Sequence, residues 1–143
     1  MKALTLWQPY ASLVAAGVKK IETRGWQTDW RGPLAIHAAK KRIPILTMNG
    51  WALPGLDGGQ MHPILLALHH AGHLPLPFGV IVCTVRLVDC VLITADNVPE
   101  SPERECGDYT PGRYAWLFTD LVVLEKPVHI SGAMGLWEWW DSA

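Results

Sequence analysis

The sequence predicts a mainly β fold of the α+β class: a small β-barrel with one N-terminal helix and a helical insertion. Three observations predict it. Five or more β-rich segments are separated by Gly- and Pro-rich turns, a lone short helical signal follows the first of them, and the strand rhythm breaks once, over roughly 41–79. With 143 residues, 50% of them hydrophobic, the chain is long enough for one core, so residues 1–143 are expected to form a single domain. A charged fraction of 17% with 13 Gly and 11 Pro excludes a disordered tail, a coiled coil and a collagen-like chain.

Ala3–Trp7 reads as the first strand. Gln8 to Gly17 reads as a short helix, with Pro9 near its first turn and Gly17 where a terminating glycine belongs. Lys19–Trp26 suits an extended segment, in which Lys20, Glu22 and Arg24 share one face and Lys19, Ile21 and Thr23 the other. Arg31-Gly32-Pro33 marks a turn before the strand Leu34–Ala38. In the insertion, the stretch Leu53–Gly59 is a loop, and Pro63–Ala71 is a helix closed by Gly72. Val80–Val91 is β-branched and long enough for a curved strand. An acidic loop from Asp96 to Gly112 leads to the last strands, Arg113–Glu125, Val128–Ile130 and Leu136–Trp140.

The longest apolar runs, such as Val80–Thr84, are too short to span a bilayer, so no membrane anchoring is expected. Three cysteines, Cys83, Cys90 and Cys106, make no disulfide framework and no C-x-x-C pair, and suit reduced thiols in a cytoplasm. His62, His69 and His73 have helical spacing, but Gly72 intervenes and no cysteine or carboxylate lies close enough to complete a shell. Neither a metal nor a cofactor is expected. The net charge of −1 is unevenly spread: residues 1–42 carry eight basic and two acidic side chains, the remainder four basic and eleven acidic. Such a split can present an electropositive cleft to phosphate, or merely two patches that attract each other. No phosphate loop, dinucleotide glycine fingerprint or nucleophile elbow is present.

Leu6-Trp7-Gln8-Pro9-Tyr10-Ala11-Ser12-Leu13, then Gly17-x-Lys19-x-x-Glu22-x-Arg24, Trp26 and Arg31–Ala39, closely resemble the ASCH domain, a module first described in a coactivator of the activating signal cointegrator type. Tyr114-Ala115-Trp116, Pro127–Gly132 and Leu136-Trp137-Glu138 look like its closing strands, so the likeness covers nearly the whole chain outside about 41–79. The resemblance implies a PUA-like barrel related to domains that bind modified or structured RNA. Some ASCH proteins look like nucleic-acid-binding modules, some are ribonucleases, and a small bacterial relative deacetylates acetylated cytidine nucleosides.

Two functional readings follow. In the first, RNA, another single-stranded nucleic acid or a modified nucleotide enters a basic cleft. Arg24 offers a planar fork of donors and Lys19 a point charge, while Glu22 orients Arg24 or accepts from an amino group. Gln8 and Ser12 read a base edge, Trp26 stacks, His37 touches ligand, and Ser131 with Gly132 offers backbone N–H groups to phosphate. Replacing Lys19 and Arg24 together is then expected to flatten the salt dependence of binding. The second reading is a hydrolase, a ribonuclease or nucleoside amidohydrolase, with Lys19 and Glu22 as catalytic residues. In the deacetylating relative a lysine matching Lys19 works with a threonine three residues on. Glu22 stands there and cannot form an ester by that route, which leaves a carboxylate-activated water. A protein-binding adaptor is a third possibility. Trp7 and the C-terminal tryptophans Trp137, Trp139 and Trp140 are expected to serve packing.

Overall fold

The computed structural model describes residues 1–41 and 63–140. Strand β1 (Lys2–Leu6) runs into the one-and-a-half-turn helix α1 (Tyr10–Ala15), then β2 (Ile21–Arg24) and β3 (Gly32–Ala38). Helix α2 (Pro63–His70) precedes the long strands β4 (Val80–Leu92) and β5 (Tyr114–His129), and β6 (Leu136–Glu138) ends the sheet. The loop between β4 and β5 contains a 3₁₀ turn, Glu103–Cys106. Arg42, Leu53–Gly59 and His62 lie outside the described residues, so the predicted insertion is visible only from α2 onward.

The strands form one six-stranded sheet in the order β2-β5-β4-β3-β1-β6, with β1 and β3 parallel and the other pairs antiparallel. Among the described residues it does not close into the barrel that the pattern predicted. The two end strands, of four and three residues, are too short to wrap around to each other. Moreover β6 pairs with β1 only from Lys2 to Leu4, leaving the edge of β1 uncovered at Thr5. There the Arg24 side chain of β2 reaches across and donates through Nη2 to the Thr5 carbonyl, 2.9 Å away. A side chain spans the opening that a strand ladder would have sealed, and the candidate site lies in that opening.

The sheet coils where β5 carries extra residues. Asp120 and Leu121 stand opposite Val85 alone, and Asp120 takes a left-handed φ of 56°, which aspartate tolerates better than most residues. The main core packs Leu4, Leu6, Val14, Leu34, Ile36, Val85, Leu87 and Trp116 between the sheet and α1. A second cluster joins Leu13 of α1 to Leu65 and Leu68 of α2, to Leu76 and to Cys106, which fixes the 3₁₀ turn against α1. Gly17, at φ 77°, ends α1 as expected, and the amides of Val18 and Lys19 turn back to the Leu13 carbonyl.

A candidate ligand cleft at the open edge of the sheet

That turn after Gly17 decides where Lys19 goes. Lying just before β2, it escapes the alternation that would have set it opposite Glu22. Its side chain folds inward and is 1% exposed. Nζ donates to the Cys106 carbonyl at 2.6 Å, lies 3.3 Å from Glu22 Oε1, and sits 5.6 Å from the centre of the Tyr10 ring. Within β2 the alternation holds, so Glu22 and Arg24 project together, with Arg24 Nε 3.1 Å from Glu22 Oε2. The Thr23 amide donates to Glu22 Oε1 at 3.1 Å. One carboxylate thus serves an ammonium, a guanidinium and a backbone N–H, and Lys19, Glu22 and Arg24 are brought together as a partly buried network.

Around the network opens a cleft of about 470 Å³, bordered by the end of β1 (Thr5–Trp7), by Tyr10, by Glu22–Trp26, by Cys106–Asp108 and by Arg113. That volume falls within the range of small-ligand pockets. Trp7, Tyr10 and Trp26 are 51%, 36% and 40% exposed along it. The expectation that Trp7 packs in the core is therefore overturned: Leu4 and Leu6 fill the core, and Trp7 follows the last strand residue, outside the sheet. Trp26 stands edge-on against buried Trp116, centroids 4.8 Å apart, and Trp116 Nε1 donates to the Trp26 carbonyl at 3.3 Å. Arg113 donates through Nε to the Asp108 carbonyl and through Nη2 to the Thr23 carbonyl, and lies 3.6 Å from the Asp108 carboxylate. Hydrogen bonds from Thr110 hold the Asp108 carboxyl below its ordinary value, so it remains an anion beside Arg113.

The other proposed contacts lie elsewhere. Gln8 and Ser12 are buried and occupied with each other: Gln8 Oε1 accepts from the Ser12 amide, and Nε2 donates to Ser12 Oγ and to the Pro77 carbonyl. They satisfy the first turn of α1 and tie it to the segment before β4, and they do not line the cleft. His37 is buried between β1 and the loop before β6. Carbonyls only accept, so its Nε2 donates to Ile130 at 2.7 Å, and Nδ1 accepts from Thr5 Oγ1, which accepts in turn from Trp137 Nε1. Ser131 is exposed and outside the cleft, while a Cβ on Gly132 would stand 2.5 Å from Thr5 Oγ1. Close approach explains that glycine, and the pair forms no phosphate cradle at the cleft.

Burial lowers the pKa of His37 below its ordinary 6.5, with the Ile130 bond opposing. The unfolded chain then takes up a proton that the folded one refuses, so stability falls as pH drops below about 6.5 until the folded value is passed. Thermal unfolding of wild type and His37→Gln between pH 7.5 and 5 is expected to show a shallower acid decline in the variant. Parallel curves would remove His37 as the cause.

Burial also pushes the thiols of Cys83 and Cys106 up to about 12 and about 11, which leaves both protonated and inert at neutral pH. Among the described residues no group of three His, Cys, Asp or Glu side chains is placed to hold a metal ion, and no helix is long and apolar enough to cross a membrane. Sequence reading missed Thr5, Gly107, Asp108 and Arg113 as cleft residues. They lie in segments remote from the Lys19–Arg24 motif, and no spacing links them.

The family model described as ASCH domain matches residues 4–127. Over 39 residues the chain is 49% identical to Activating signal cointegrator 1 of Mus musculus, a match covering 27% of this chain and 7% of that protein's length. Two solved structures are similar in shape, those of ASCH from Zymomonas mobilis and of a tyrosine-to-phenylalanine mutant of the same protein. Each is 14% identical with a TM-score of 0.48, covering 90% of this chain and 72% and 74% of theirs.

Proposed function

Because this chain belongs to the ASCH domain family, which is associated with RNA binding, we propose that residues 1–143 act as one domain that holds a base of single-stranded RNA, or of a modified nucleotide, in the cleft at the open edge of the sheet. The observation that carries this reading is the set of three exposed aromatic rings, Trp7, Tyr10 and Trp26, around a polar floor made by Glu22 and Arg24. Apolar faces exposed beside fixed hydrogen-bonding groups suit a flat ligand with a polar edge, and single-stranded RNA is recognised in that way. Arg24 keeps Nη1 for such an edge while Nη2 holds Thr5 and Nε faces Glu22. Gln8, Ser12 and His37 serve the fold in this reading, and Ser131 takes no part in the cleft.

The hydrolase alternative asks Glu22 to take a proton from water. Its Oε1 faces Lys19 and Thr23, while Oε2, beside Arg24 Nε, keeps a lone pair that could meet a water. The hydrolase reading gives the three exposed rings no role, and binding is the reading that uses them. Trp7→Ala and Trp26→Ala are each expected to weaken binding of a labelled random-sequence RNA nonamer by about 1–3 kcal/mol, roughly 5- to 150-fold. Fluorescence anisotropy measures this directly. Affinities unchanged in both variants would exclude the cleft as the base site.

A further inference from the structure

The basic side chains of the N-terminal segment are mostly neutralised. Lys2 pairs with Glu138 at 2.6 Å, Lys19 and Arg24 share Glu22, Arg31 lies 3.8 Å from Asp89, and Lys20 sits in the field of Glu103. On the far side of the cleft, Arg113 has Asp108. The walls therefore carry about one positive charge in excess, because Lys19 and Arg24 share a single carboxylate, and the cleft is less basic than the charge split suggested. Lys41, beside Trp7, and its neighbour Lys40, over Gly79, are the exceptions: both are exposed, and neither has an acidic partner among the described residues.

Their position is set by the sheet. The Ala39 amide donates to the Leu6 carbonyl at 2.9 Å, which lays residues 39–41 alongside the β1 end that leads into Trp7. Lys41 Nζ stands 5.1 Å from the centre of the Trp7 ring. The stem of Lys40 lies over Gly79, where a Cβ would meet its Cγ at 2.9 Å, so the glycine makes room for it.

Resting on the base-binding reading above, we infer that Lys40 and Lys41 form the phosphate rim of the cleft. The phosphodiester attached to the bound base lies at the Trp7 mouth, and the ion-paired interior reads the base without drawing in the backbone. Electrostatic steering of a nucleic-acid strand then comes mainly from these two side chains at one mouth.

The salt dependence of binding tests this, because each phosphate contact to a single strand adds about 0.7 to the slope of log affinity against log salt. The probe is the same labelled random-sequence RNA nonamer, titrated with wild type, with Lys40→Gln/Lys41→Gln, and with Arg86→Gln/Lys126→Gln, which removes equal charge away from the cleft. The Lys40/Lys41 variant is expected to lose about 1.4 of slope, equivalent to about sevenfold less salt sensitivity between roughly 50 and 200 mM, while the control keeps the wild-type slope. A Lys40/Lys41 variant with the wild-type slope, or a control that loses as much, would overturn the rim while leaving the base site standing. Absence of wild-type binding at the lowest salt would overturn both.

Discussion

Glu22→Ala is expected to lower the unfolding free energy by about 3–5 kcal/mol, the cost typical of removing one partner from a buried ion pair. The Lys19 side chain is fully buried, and after the substitution its ammonium would retain the Cys106 carbonyl, the face of Tyr10 and the field of Glu103, but no carboxylate in direct contact. Arg24, a quarter exposed, would lose the group that orients it while still reaching Thr5. Glu22→Gln should cost less, since an amide oxygen can still accept from Lys19 and Thr23, although its NH₂ would then face Arg24. Removing the buried charge as well, in Glu22→Ala/Lys19→Met, should recover part of the loss, because an apolar side chain tolerates that site without a counter-charge. Urea unfolding of the three variants at neutral pH gives these differences. A loss below about 1 kcal/mol for Glu22→Ala would mean that the Cys106 carbonyl suffices for Lys19, and the network would lose its structural role.

Trp116→Ala is expected to cost a similar amount, about 3–5 kcal/mol, by opening a cavity in the main core. Trp116 is completely buried on β5, pairs in register with Glu22 on one side and Cys90 on the other, and supports Trp26 by ring contact and by its indole N–H. Trp116→Phe separates the two roles: most of the packing survives, but the hydrogen bond to the Trp26 carbonyl is lost, at a cost of about 1 kcal/mol. The phenylalanine variant is therefore expected to unfold cooperatively near wild-type stability while binding RNA more weakly, through a less constrained Trp26. A phenylalanine variant that binds as wild type would show that Trp26 is positioned without this bond.

Local pattern carried much of this molecule. Alternation in β2 put Glu22 and Arg24 on one face, Gly17 and Gly72 marked two helix ends, and the β-branched run gave β4 nearly at its observed bounds. The ordered motifs also pointed to the family whose model spans residues 4–127. These features depend on residues within a few positions of one another, where the side-chain periods of strand and helix are set by backbone geometry alone.

What lay beyond the sequence was decided by contacts between distant segments. Parity predicted that Lys19 would point away from Glu22, but the bend after Gly17 and a carbonyl 87 residues away draw it inward. Gln8 and Ser12 had the chemistry of ligand-binding groups, yet the Pro77 carbonyl and the first turn of α1 consume it. Trp7 looked like core until Leu4 and Leu6 filled that volume. The uneven charge was legible, but its partial cancellation by Glu138, Asp89 and Glu22, which leaves Lys40 and Lys41 without an acidic partner among the described residues, was not. Even the failure of the sheet to close depends on β6 stopping opposite Leu4 and on Arg24 reaching Thr5. Residue type and spacing determine which elements form and which faces they present. Whether a polar group is free to bind a ligand depends on which partners the folded chain brings to it, because a donor or acceptor satisfied inside the protein is no longer available to anything outside it.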